Sequence, residues 1–145
     1  MDLSPHFTAA EFACRCGCGF GLRAGDVSQD LVVRLEAMRA AAQALDVVNL
    51  WPGGLEITSG CRCEAHNAEV GGSRGSAHRY GLAADVACPG SARAFVLVSA
   101  ALAVGFVRVG LERGCVHVDV STRPEHPQRV LFGWNRLAEL GRRSA

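Results

Sequence analysis

From Ser28 to about Leu45 the apolar residues Leu31, Val32, Leu35, Met38, Ala42 and Leu45 recur at helical spacing, with Arg34, Glu36, Arg39 and Gln43 between them. This predicts a helix with one face toward a core. Upstream, Thr8-Ala-Ala-Glu11 has the spacing of a capping box and predicts a short helical turn ahead of the glycine- and cysteine-rich "CRCGCGFG", which must be loop. "LEIT" at 55–58 alternates after the turn signal Pro52-Gly53-Gly54, and Leu82–Ala87 and Phe106–Gly110 also have the composition of short strands. "CVHVDV" at 115–120 makes a fourth. Between the second and third strands, Ser91 is placed to cap a helix through "ARAFVLVSAALAV" that ends at Gly105, apolar enough to be largely buried. Beyond Arg123-Pro124, the residues Trp134, Leu137 and Leu140 suggest a short terminal helix over the core. The expected fold is therefore α+β, a small, mainly antiparallel sheet of about four strands flanked by helices.

Length and charge narrow the classes. A chain of 145 residues suits one domain, here 1–145, and can bury a real core without a disulfide or metal merely to stay folded. No repeat, linker or low-complexity segment divides it. A net charge of +1 with mixed signs argues against a nucleic-acid or anionic-membrane partner, and nothing approaches a bilayer-spanning apolar run. The N-terminal "MDLSPHFTAAEF" has no charged-then-apolar organisation, so synthesis in the cytoplasm without a signal peptide is expected. All the basic residues other than histidine are arginine, which reads as compositional bias.

The chemistry gathers in two places. In "SRGSAHRYGLAADV", Ser73 to Val86, Asp85 ends an apolar run, where a charge is costly unless something pairs with it. In a strand over Val116–Val120, His117 and Asp119 point to one face while Val116, Val118 and Val120 point to the other. With His78, these residues offer two imidazoles and two carboxylates on short elements, a set suited to zinc with one position left for water.

Several motifs occur in one order: "SGCR" at 59–62, "HN" at 66–67, "VGG" at 70–72, "SAHRYGLAAD" at 76–85 and "HVD" at 117–119. Together they resemble the zinc D-alanyl-D-alanine carboxypeptidase family of peptidoglycan peptidases, which shares its core with lysostaphin-type peptidases and the hedgehog signalling domain. Ser76, His78, Gly81, Ala83 and Asp85 match every fixed position of Ser-x-His-x-x-Gly-x-Ala-x-Asp. "LSPHFTAAEF" and "GFVRVG…CVHVDV" extend the likeness to small single-domain members, phage and prophage lysis enzymes among them, over roughly residues 3–120.

The resemblance implies a Zn²⁺ ion on His78, Asp85 and His117, with Ser76 hydrogen-bonding substrate or a ligand. It also implies Arg62 near the site, binding a substrate carboxylate or carbonyl; an internal ion pair fixing the loop is the other reading of Arg62. The activity implied is hydrolysis of an amide bond in peptidoglycan peptides by a carboxypeptidase or endopeptidase, in which a carboxylate takes the proton of a zinc-activated water. The best-known members carry Glu or Asp three residues before the last histidine ligand, where this chain has Gly114, and the lysostaphin relatives have histidine two before it, where this chain has Cys115. Asp119 is the expected base, with Glu112 the alternative. A non-catalytic wall-binding module or a phage structural component remains the competing class. A monomer acting on the cell wall, released by phage lysis or through a holin, completes the expectation.

Seven cysteines, an odd number, cannot all pair within the chain. Cys14, Cys16 and Cys18 lie in the glycine-rich loop, and Cys61 and Cys63 flank Arg62. A second, structural metal, disulfides between the two loops, and free thiols are all open for these five. Cys88 and Cys115 are expected to be small core residues.

Overall fold

The computed structural model describes residues 1–46, 54–112 and 114–133. The elements follow the order α1 (Ala9–Phe12), α2 (Gln29–Leu45), β1 (Ile57–Ser59), α3 (Glu64–Glu69), a 3₁₀ turn (Ala77–Tyr80), β2 (Ala83–Ala87), α4 (Ser91–Ala103), β3 (Arg108–Glu112), β4 (Cys115–Asp119) and β5 (Val130–Phe132). The strands form one sheet in the order β1-β2-β4-β3-β5. All neighbours are antiparallel except β3 and β5. The α+β class and mainly antiparallel sheet are as expected, with one strand more than anticipated, since "VLF" carries no alternation of its own. The expected terminal helix and Pro52-Gly53 lie outside the described residues.

Local chemistry explains the helix starts. The Glu11 carboxylate accepts from the Thr8 backbone N–H at 2.7 Å and from its hydroxyl at 3.0 Å, closing the first turn of α1. The Ser28 hydroxyl accepts from Leu31 N–H at 3.4 Å at the start of α2. α4 opens one residue earlier than expected, with Gly90 rather than Ser91 in the cap position, and it buries Val96, Leu97, Ala100 and Ala101 on one side only. Phe95 and Leu102 face outward despite the helix being apolar all round, because α2, β3 and β4 cover a single stripe.

The sheet separates core from chemistry. Directly paired residues share a face, so β2, β4 and β3 place Ala84, Val86, Val116, Val118, Val109 and Leu111 on one side. That side joins Leu31, Leu35 and Met38 of α2 and Leu97, Ala100 and Ala101 of α4 in the hydrophobic core. Each fully buried aliphatic side chain contributes about 1.5–3 kcal/mol, so this face and the two helices supply most of the driving force. The opposite face carries Asp85, His117, Asp119, Cys115 and Glu112. Cys88 packs against the core as expected, whereas Cys115 stands on the polar face, because Val116 takes the core position beside it.

Candidate metal centre

Three segments deliver the donors. Asp85 in β2 and His117 in β4 are direct partners in the ladder. His78 comes from the 3₁₀ turn before β2, which ends at Gly81 with φ +66°; a Cβ there would stand 1.8 Å from the Asp26 carbonyl oxygen, so only glycine fits. The turn brings His78 Nε2 to 3.1 Å from Asp85 Oδ1 and 3.2 Å from His117 Nδ1, and His117 Nδ1 to 3.0 Å from Asp85 Oδ1. Three donors at about 2.0–2.2 Å from a tetrahedral ion stand about 3.3–3.6 Å apart, slightly wider than this triangle. The side chains are 2%, 5% and 12% exposed, His117 the most.

The far side of each donor is tied down. His78 Nδ1 lies 2.6 Å from the Gly60 carbonyl, which leaves Nε2 free to coordinate when Nδ1 carries the proton. Gly60 is itself forced: a Cβ there would lie 2.5 Å from Phe12 Cα. Asp85 Oδ2 accepts from Arg62 at 2.5 Å, and Arg62 Nε donates to the Ser59 hydroxyl at 2.8 Å. Ser59 reaches this face through an irregularity in β1: Ile57 pairs with Val86 on the core side, yet Ser59 pairs with Asp85. His117 Nε2 lies 2.8 Å from Asp119 Oδ2. Such outer partners set the tautomer and orientation of metal-binding imidazoles.

Asp119 is fully engaged. Its Oδ1 accepts from Arg108 Nε at 2.7 Å and from Ser121 N–H at 3.0 Å, while Oδ2 faces His117, and the side chain is 0% exposed. Alternation places Asp119 on the correct face but says nothing of Arg108, whose guanidinium lies 4.7 Å from the centre of the Phe132 ring and also donates to the Pro127 carbonyl. The Phe132 ring meets His117 edge-on at 5.9 Å. Gly110 makes that possible, since a Cβ there would stand 3.0 Å from His117 Cβ and 3.2 Å from the Phe132 ring. Glu112, paired with Cys115, is exposed on the same face two ladder pairs beyond His117. Ser76 stands half-buried at the start of the turn that carries His78.

The electrostatics suit a cation. Burial opposes ionisation of Asp85, yet hydrogen bonds from His117 and His78 hold its carboxyl well below the usual range. Burial disfavours the charged form of His117, but Asp119 and Asp85 outweigh it and push the imidazole up to about 9. Asp119 is lowered, against burial, by His117 and Arg108. The Cys115 thiol is pushed up to about 12 by burial, then by the charges of Asp85 and Glu112, so it stays protonated beside the site.

A second group lies at the other end of the Arg62 loop. Cys14, Cys16, Cys18 and Cys63 hold their sulfurs within 4.8 Å of one another. Cys61 is not among them: it is buried, and its thiol points to the Asp26 carbonyl at 3.7 Å.

Two imidazoles and a carboxylate converge here, each oriented from behind, as a group that could hold a metal ion. A family model described as peptidase M15 matches residues 5–121, and the chain belongs to that family of metallopeptidases, whose members are typically zinc-dependent. No curated protein matches the chain. Among the described residues no helix is long and apolar enough to cross a membrane.

Proposed function

We propose that the protein is a zinc-dependent hydrolase of an amide bond in peptidoglycan stem peptides or their cross-links. The observation that carries the reading is the convergence of His78 Nε2, Asp85 Oδ1 and His117 Nδ1 within 3.2 Å of one another, with the second polar atom of each already committed. A zinc ion on these three donors would supply Lewis acidity, polarising the scissile carbonyl and acidifying a water.

The chain's own residues divide the remaining work. Asp119 orients His117 and keeps its Nδ1 turned to the donor triangle; because both its oxygens already have partners, it is assigned this orienting role here in place of the base expected of it. Glu112 takes the role of proton acceptor, being an exposed carboxylate on the same face of the sheet. Arg62 turns Asp85 so that Oδ1 faces the histidines, and the unshared part of its guanidinium fork binds a substrate carbonyl or carboxylate. Ser76, at the head of the His78 turn, hydrogen-bonds the substrate backbone.

The direct test is incubation of purified protein with peptidoglycan and with synthetic stem peptides, scoring newly formed amines. Amine release that stops with a chelator, returns with zinc, and is absent from His117→Ala is the expected result. Binding of the same peptides without amine release under any metal loading would instead establish a non-catalytic wall-binding module, the reading favoured by the commitment of Asp119 to Arg108 and His117.

A further inference from the structure

We propose that Cys14, Cys16, Cys18 and Cys63 form a second metal site, a closed tetrathiolate that holds one structural zinc ion. The sulfurs of Cys14 and Cys16 are 3.3 Å apart, those of Cys16 and Cys63 are 3.6 Å apart, and all four lie within 4.8 Å of one another. Four thiolates at about 2.3 Å from one tetrahedral ion stand about 3.8 Å apart, so the space between them is that of a single ion. A disulfide requires about 2.05 Å, and the thiols are all free in the structure.

The loop is built to converge. Gly17 and Gly19 sit at φ +80° and +86° with nothing within 4 Å of a Cβ, so these glycines serve the backbone's left-handed turns and not any lack of space. The turns allow Cys14, Cys16 and Cys18, alternating with single residues, to present their sulfurs to one point. The fourth sulfur arrives from far along the chain, at the residue that caps α3. Backbone N–H groups already approach the sulfurs as they do around metal-bound thiolates: Cys63 N–H points to Cys14 Sγ at 3.4 Å and His66 N–H to Cys63 Sγ at 3.4 Å. Cys61, one of the five candidates, is excluded by its direction toward Asp26.

Four ligands leave no open position, so this ion binds no substrate. Its effect is mechanical. It ties the loop after α1 to Cys63, which directly follows Arg62, and Arg62 donates to Asp85. On the other side of Arg62, Cys61 N–H donates to the Phe12 carbonyl at 2.7 Å, and Gly60 receives His78 Nδ1. The tetrathiolate ion therefore anchors the strap that aligns two of the three donors of the other site.

The test uses the full chain, purified under reducing conditions, stripped of metal and titrated with zinc. Wild type is expected to take up about two equivalents, and both His117→Ala and Cys16→Ser about one, since each removes a ligand from a different site. Cobalt added to His117→Ala should give intense thiolate-to-metal charge-transfer absorption that is lost when Cys16→Ser or Cys18→Ser is added. Cys16 and Cys18 are exposed, so either replacement leaves the core intact and one substitutes for the other if the first variant misfolds. The proposal is overturned if His117→Ala binds no zinc, if its cobalt form shows no thiolate band, or if the mass of the native chain reveals disulfides among these cysteines. Because the decisive measurements are made on a chain lacking His117, they stand or fall apart from peptidase activity.

Discussion

His117 stands between two carboxylates, Asp85 at Nδ1 and Asp119 at Nε2, and this position makes the metal-free and metal-bound proteins respond differently to pH. Without metal, its folded-state value of about 9 lies above the ordinary 6.5. A raised histidine adds stability that is fully present below the unfolded value and is lost as pH rises through the folded one. Asp85 and Asp119, held below the usual carboxylate range, act in the opposite sense, adding stability above about pH 4 that is lost on further acidification. These three groups should therefore give chelator-treated protein a contribution to Tm that is level between about pH 4 and 6.5 and declines toward pH 9, opposed over the upper range by the Cys14 thiol, which, against burial, its cysteine neighbours hold down at about 6. Zinc at the proposed site would replace the proton on Nδ1, so loaded protein should lack that alkaline decline, and thermal melts at pH 6 and pH 9 with and without zinc measure it. A change in Tm between those two values that is the same in stripped wild type and stripped His117→Ala would count against the assignment. Asp119 and Glu112 are separated by a second pair of variants. Asp119→Asn should weaken zinc binding by about 10- to 100-fold, the usual effect of losing an imidazole's outer carboxylate. Glu112→Gln should leave zinc binding intact and lower hydrolysis by about 10²- to 10⁴-fold. Competition with a chromophoric chelator and amine-release rates give the two readouts, and a reversed pattern would return the base to Asp119.

The elements that carry the site are short, and each depends on one tight junction. The 3₁₀ turn is terminated by Gly81, whose φ of +66° and closeness to Asp26 leave no room for a side chain. Gly81→Ala should cost at least about 1–3 kcal/mol and displace His78, so a fall in both Tm and zinc affinity is expected. α2 provides the contrast. Leu35 is 0% exposed in the core on the other side of the sheet, and Leu35→Ala should cost about 2–5 kcal/mol. Because Asp85 and His117 project from the opposite face, zinc stoichiometry in that variant should stay at the wild-type value under native conditions. Denaturant melts paired with metal analysis distinguish the two; loss of zinc from folded Leu35→Ala would show that the faces are more tightly coupled than the register implies.

At the scale of the whole molecule, the sheet acts as a partition, with helices and an apolar core behind it and a polar site in front. The donors come from positions 78, 85 and 117 and meet only when β2 pairs with β4 and the His78 turn closes on the Gly60 strap. The unfolded chain has no comparable site, so zinc binding at the proposed site would be coupled to folding. Free zinc at 100 times the dissociation constant should stabilise the protein by about 2.7 kcal/mol for one site, visible as a Tm that rises with zinc concentration. His117→Ala should lose the part of this response that belongs to the front site, and a zinc-independent Tm in wild type would contradict the coupling.

Much of this was determined by the sequence alone. Helical spacing over Leu31–Leu45 and strict alternation at Val116–Val120 are local signals, and they placed α2, β4 and the facing of His117 correctly because burial imposes a period on any element with one wet side. The same alternation put Asp119 on the site's face, and a motif read along the chain singled out His78 and Asp85. Only the tertiary structure decided what each of these groups touches. Asp119 is held by Arg108, whose side chain comes from the neighbouring strand; Arg62 reaches Asp85 across a loop; Cys63 joins Cys14, Cys16 and Cys18 while its near neighbour Cys61 turns away. The fifth strand and the small helix α3 were equally illegible, being too short to show a period. The physical reason is common to all of them: spacing along the chain reports which way a side chain points, whereas its partner depends on register, irregular strand pairing and loop closure between segments tens of residues apart.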